Sequence, residues 1–186
     1  MANKNQDLQK NPRHILLRIT RVHFVYIMVY IFTVIIFDSW NLISHGDVTK
    51  RWTAAGSLMI VNTIIWYLCR AKIKNDKLYK VLLVVLIACD VLFAAVNVYW
   101  QRGMSAKTVM LFAIPIISAG LARSRSLLLA TTGVSAAAYS IAAVRYFNDN
   151  YGQGYKVELY GEVFFYSGIM LIIALLMMIN FRKAPD

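Results

Sequence analysis

Charged residues make up only 16% of this 186-residue chain, and it holds two cysteines and three histidines. Each shortage excludes something. Two cysteines cannot build a disulfide framework, and no cysteine spacing of metal-site type occurs. Cys69 ends one apolar run and Cys89 lies deep inside another, so both read as small buried thiols. The histidines form no HExxH pair, and there is no GxSxG or phosphate-loop motif. His14 and His23 are too far apart in sequence to share a helical face as i, i+4 ligands would. Haem ligation by His23 would need an opposing histidine that no other apolar run supplies. No catalytic residue, metal or cofactor is therefore expected, and the chain reads as non-enzymatic. A divalent cation near His45 and Asp47, approached by Asp38, Glu158 and Glu162, is the one metal reading available, and a solvated loop is the better account of those residues.

Two further absences narrow the class. The strict alternation of a membrane β-barrel is missing. The first apolar run is followed by "VIIFDSWNL", which has no small-x-small cleavage site, so it reads as a retained anchor helix.

What is abundant is apolar sequence. Hydrophobic residues reach 59% and mean hydropathy is +0.55, a surplus that a soluble domain of this length would have to expose. A hydrocarbon core about 30 Å thick needs about 20 helical residues, and six segments qualify: Val22–Phe37, Trp52–Cys69, Val81–Tyr99, Ser105–Ala122, Leu127–Val144 and Leu159–Phe181. Lipid satisfies no loose backbone, so all six are expected as helices. The expected fold is all-α and polytopic: a basic segment at 1–21, one six-helix transmembrane domain at 22–181, and a short tail at 182–186. The fourth span is interrupted by Lys107, which can snorkel, and by Pro115, which should kink it.

Charge sets the orientation. With the N-terminus inside, fourteen of the twenty basic residues fall in cytoplasmic segments and six in outer ones. That asymmetry satisfies the positive-inside rule and puts both termini in the cytoplasm. Trp40, Trp52, Trp100 and several tyrosines collect at the outer boundary, with Trp66, Tyr67 and Tyr79 at the inner one. The net charge of +11 is thus explained by insertion in a cytoplasmic membrane, with the lipid bilayer as partner and no nucleic acid required. The outer stretch "RYFNDNYGQGYKVELYGE" reads as a glycine-marked turn leading into the last helix.

Polar residues inside the apolar runs are the candidate site. Aligning the second and third spans end to end sets Asn62 opposite Asp90 at about mid-membrane. A mutual hydrogen bond would spare each a buried, unpaired polar group. An interhelical clasp is the first expectation and a proton- or ion-responsive Asp90 the alternative. Asn97 follows on the same face as Asp90, and Tyr30, Ser135 and Tyr139 sit at similar depths on other helices. Together they would line a small polar pocket opening outward, unless they serve only as packing residues. Gly133 and Ala137, four apart, offer a small-residue face for packing within the chain or for a homo-oligomer.

The stretch "FAIPIISAGLARSRSLLLATTGVSAAAYSIAAVRYF", within residues 111–147, resembles the membrane-embedded N-terminal sensor regions of bacterial histidine kinases. The likeness rests on an apolar helix with Pro115, a basic turn at Arg123–Arg125, and a small-residue helix bearing Tyr139. It implies a six-helix sensory module feeding a cytoplasmic output domain. This sequence departs from the pattern after "NFRKAPD", where no phosphoacceptor, kinase or cyclase region follows. Two functions follow as expectations: a sensory or scaffolding membrane module with a cytoplasmic signalling partner, or a small transporter or channel built around Asp90.

Overall fold

A computed structural model describes residues 12–71, 73, 75–101, 107–151 and 157–182, without the side chains of 151, 157 and 182. Among these residues the chain is helical and contains no strand. The elements are α1 (Pro12–Ser39), α2 (His45–Arg70), α3 (Asp76–Trp100), a 3-10 segment (Lys107–Phe112) running into α4 (Ala113–Leu121), α5 (Arg125–Tyr151) and α6 (Val157–Arg182). Five of them, all but α4, are long and apolar enough to cross a membrane. Thirty or so large apolar side chains stand exposed, among them Phe32, Ile60, Val134 and Phe164. Such a surface suits lipid and is unsuited to water.

The expected fourth span is the exception. Its first two residues, Ser105 and Ala106, lie outside the described residues, and Lys107–Leu121 is too short by residue count to be a standard span. Its first six residues are 3-10 helix, and Pro115 sits in the first turn of α4. A proline there would clash with the carbonyl four residues back and cannot donate to it. The interruption expected at Pro115 therefore takes the form of a change from 3-10 to α geometry just before it. The 3-10 form rises about 2.0 Å per residue against 1.5 Å for α, which stretches the combined segment to roughly 26 Å.

Where the sequence reads as one domain, packing divides the chain into two units, residues 1–86 and 87–186, with the boundary inside α3. In the first unit α1 and α2 pack as a hairpin. The buried positions of α1 include 16, 20, 23, 27, 30 and 34, and those of α2 are 48, 51, 55, 58, 62, 65 and 69. Both series step by three and four, the seven-residue repeat of a coiled-coil seam. The register is fixed by Arg13 Nε donating to the Cys69 carbonyl at 2.8 Å and Asn62 Nδ2 donating to the Thr20 carbonyl at 3.0 Å. Phe24 also meets Trp66 edge to face, with centroids 6.2 Å apart, and Arg70 lies 4.5 Å over the Trp66 ring. The basic segment assigned to 1–21 is thus helical from Pro12 onward, as part of the hairpin; residues 1–11 lie outside the described residues.

The hairpin turn is built by side chain and backbone together. Asn41 adopts φ 53° as the left-handed residue of a Schellman motif, in which Leu42 N–H reaches the Phe37 carbonyl and Asn41 N–H the Asp38 carbonyl, both at 2.9 Å. Ser44 then caps α2: its hydroxyl accepts from Asp47 N–H at 3.2 Å and donates to the Asp47 carboxylate at 2.7 Å.

In the second unit α4 packs against both α5 and α6. Gly120 makes the approach to α6 possible, since a Cβ there would stand 2.6 Å from Met177 Cε and 3.1 Å from Met177 Cβ. Gly133 has nothing within 4 Å of an added Cβ, and both Gly133 and Ala137 are exposed. Packing within the described chain therefore uses Gly120 and leaves the Gly133–Ala137 face uncovered.

Candidate functional site

All six members of the expected polar cluster are buried, but they divide between the units. Asn62 and Tyr30 belong to the first; Asp90, Asn97, Ser135 and Tyr139 belong to the second. The expected clasp partner of Asn62 is corrected accordingly: its amide nitrogen is taken by the Thr20 carbonyl of α1. Its Oδ1 is buried with no hydrogen-bond partner among the described residues. The hairpin register also alters its depth. Thr20 lies between Arg18 and Arg21, both exposed, and exposed arginines are expensive at a bilayer centre. Asn62 therefore lies toward the end of the hairpin that carries those arginines. His23, one turn beyond Thr20, is 2% exposed and its Nδ1 pairs with the Ile19 carbonyl at 2.9 Å.

In the second unit Asn97 is satisfied locally, its Nδ2 donating to the Phe93 carbonyl of its own helix at 2.8 Å. Asp90 is 2% exposed on the same helix. Near the far end of α3, Tyr99 donates to the Asp149 carboxylate of α5 at 2.9 Å. Arg145 Nε approaches that carboxylate at 3.5 Å, and the Tyr99 and Tyr146 rings meet at 6.1 Å. This trio anchors α3 to α5. Beside it an open groove of about 490 Å³ runs along α5, lined by Ser140, Ile141, Val144, Arg145, Asn148 and Asp149.

Ser135 and Tyr139 occupy one face of α5, one turn apart, and both are wholly buried. The Tyr139 ring stands edge to face with Phe112 at 6.3 Å and with Tyr166 of α6 at 5.7 Å. One turn before Tyr166 is Glu162, within electrostatic reach of the Tyr139 hydroxyl. The sequence places Glu162 in the outer flank; the structure puts it in the second turn of α6, half-buried, with Oε2 completely covered. Among the described residues Ser135 Oγ, Tyr139 OH and Glu162 Oε2 have no hydrogen-bond partner. The signal available in sequence was Glu162's position inside "LYGEVFFYSGIML", already within the apolar run, four residues from a tyrosine.

The other candidate ligands remain apart. The Asp47 carboxylate is held by Ser44 and by Lys50 at 3.4 Å, within the cap of α2. Among the described residues no group of three or more His, Cys, Asp or Glu side chains converges as a metal site. Cys69 is buried and Cys89 half-buried, both unbridged. The turn glycines Gly152 and Gly154 lie outside the described residues.

Fold and surface define an all-α protein of multi-pass membrane type, apolar outside and polar at a few buried points within. Compared with known protein families, curated proteins and solved structures, the chain has no match.

Proposed function

We propose that this chain is a non-enzymatic, six-span protein of the cytoplasmic membrane, with both termini in the cytoplasm, acting as a sensory or scaffolding module. One observation carries the reading. The second unit keeps polar groups without partners, Ser135, Tyr139 and Glu162, buried in a bundle whose exterior is apolar. Buried polar atoms left unsatisfied weaken a purely structural core, so their retention favours a role in detecting something that enters from the membrane or its outer face. The six-span count is supported by the 3-10 stretch of Lys107–Phe112, which lengthens the fourth segment to nearly a hydrocarbon thickness. The charge asymmetry of the loops supports the orientation.

In this topology α5 joins the polar cluster to the basic cytoplasmic turn at Arg123–Arg125. Tyr139 lies about 20 Å along α5 from that turn. A signalling partner would be met there, and the uncovered Gly133–Ala137 face offers a surface for a second copy of the chain.

A small transporter or channel is the second reading, favoured by the buried carboxylate of Asp90. With six spans α3 and α5 run in the same direction. Counting back from the Tyr99–Asp149 anchor then brings Asp90 to the depth of Tyr139. Flux in proteoliposomes separates the two readings. A sensory module shows no proton or monovalent-cation flux above that of empty liposomes. Flux that Asp90→Asn abolishes would replace the sensory reading with transport.

A further inference from the structure

We propose that Glu162, Tyr139 and Ser135 form a hydrated proton-binding site inside the second unit, with the carboxyl of Glu162 as the group that holds the proton. The inference rests on the membrane placement of α6 proposed above. Its geometry comes from two helices. Tyr139 and Ser135 share the buried face of α5, and Tyr139 touches Tyr166, one turn along α6 from Glu162. The hydroxyls of Tyr139 and Ser135 are 0% exposed and unpartnered, as is the covered oxygen of Glu162, among the described residues.

An ionised carboxylate covered in an apolar bundle requires a counter-charge or a proton. The charged neighbours supply no counter-charge. On α5, Arg145 is directed to Asp149 at 3.5 Å. Lys107, at the start of the 3-10 segment, is exposed. Helix α4 carries no ionisable side chain. On α6 the neighbouring groups are the phenol of Tyr166 and the exposed Glu158 and Tyr160. The α3 half of the unit adds another acid, Asp90, and Tyr99, which is bonded to Asp149. A proton on Glu162 is therefore the remaining neutralising charge. The neutral acid can both donate and accept, as can the two hydroxyls, so bridging water can connect all three. Binding and release involve one O–H bond at Glu162, with the proton exchanged with water at the nearer face of the bilayer.

The test is infrared difference spectroscopy of the full chain in lipid bilayers, following the carbonyl band of protonated carboxylic acid as pH is varied. The expected result is a protonated-acid component at neutral pH that Glu162→Gln removes and Asp90→Asn leaves. Tyr139→Phe should shift the frequency of that component, because it removes a hydrogen-bonding group while retaining the acid. An unchanged band in Glu162→Gln overturns the proposal. If Glu162→Gln does not fold, an unshifted band in Tyr139→Phe overturns it instead. Loss of the component on adding sodium ions at constant pH would mark a cation site and also overturn it. The band is read without any partner or flux. Protonated Glu162 in a chain that transports contradicts only the sensory reading, and ionised Glu162 in a chain without flux contradicts only this inference.

Discussion

Asn62 on α2 donates its side-chain amide to the main-chain carbonyl of Thr20 on α1 at 3.0 Å, in the middle of a seam whose buried residues repeat every seven positions. The acceptor is backbone, and the Thr20 hydroxyl is itself directed to the Leu17 carbonyl at 3.1 Å. Asn62→Ala should therefore lower stability by about 0.5–1.5 kcal/mol, the range of interhelical hydrogen bonds in membrane proteins. Thr20→Val should cost less, because the accepting carbonyl survives. Denaturant unfolding in mixed micelles measures both, and a greater loss in Thr20→Val would remove Asn62 from its role as the hairpin's polar fastener.

The two helix glycines should respond in opposite ways. At Gly120 a larger side chain meets Met177, so Gly120→Val should destabilise by about 1–3 kcal/mol, and Met177→Ala in the same chain should recover part of that. Gly133 has open space around it, so Gly133→Ala should be neutral or stabilising by up to about 1 kcal/mol. Thermal unfolding reads both. Light scattering on Gly133→Leu adds a second test: a change in oligomeric state would show that a second copy covers this face.

These contrasts mark what could be read from the sequence. Helix positions were legible because hydropathy and length alone decide them: the long runs around Met28, Ile60, Leu86, Ala136 and Leu171 all became helices. The helix type before Pro115 was not legible, since a proline signals an interruption without saying whether the chain kinks or tightens into 3-10 form. Register was the other gap. Aligning loop ends assigned Asn62 to Asp90, whereas the heptad seam assigns it to Thr20, a partner with no polar side-chain signal because the acceptor is backbone. Glu162 was missed because counting charges at span boundaries treats an acid near an end as outside, although the helix that carries it begins at Val157.

Tyr139 offers a test of the buried cluster. Its hydroxyl is covered without a partner among the described residues, so Tyr139→Phe should keep or raise stability, by up to about 1 kcal/mol. Tyr139→Ala, which empties a fully buried aromatic site between Phe112 and Tyr166, should cost about 3–5 kcal/mol. Equal losses in the two variants would show that the hydroxyl is bonded in the membrane-embedded protein.

Two non-glycine residues hold left-handed backbone, Asn41 at φ 53° and Arg123 at φ 54°. Asn tolerates this region and arginine does so less readily. Asn41→Val should therefore destabilise the hairpin by about 1–2 kcal/mol, while Asn41→Gly should leave it nearly unchanged. Arg123→Gly should raise the Tm. A Tm that falls in Arg123→Gly would mean that the arginine side chain contributes more at that turn than its backbone strain costs.

The most direct test asks whether Lys107–Leu121 crosses the membrane. Single cysteines are placed at Leu42, in the hairpin turn, and at Ser126, after α4, in a chain carrying Cys69→Ala and Cys89→Ala. Both positions are exposed. A membrane-impermeant maleimide is then applied to intact cells. Six spans with cytoplasmic termini predict that Leu42→Cys is labelled from outside and that Ser126→Cys is labelled only after permeabilisation. Labelling of both from outside would contradict the account, because it would leave the chain with five spans and its C-terminus outside.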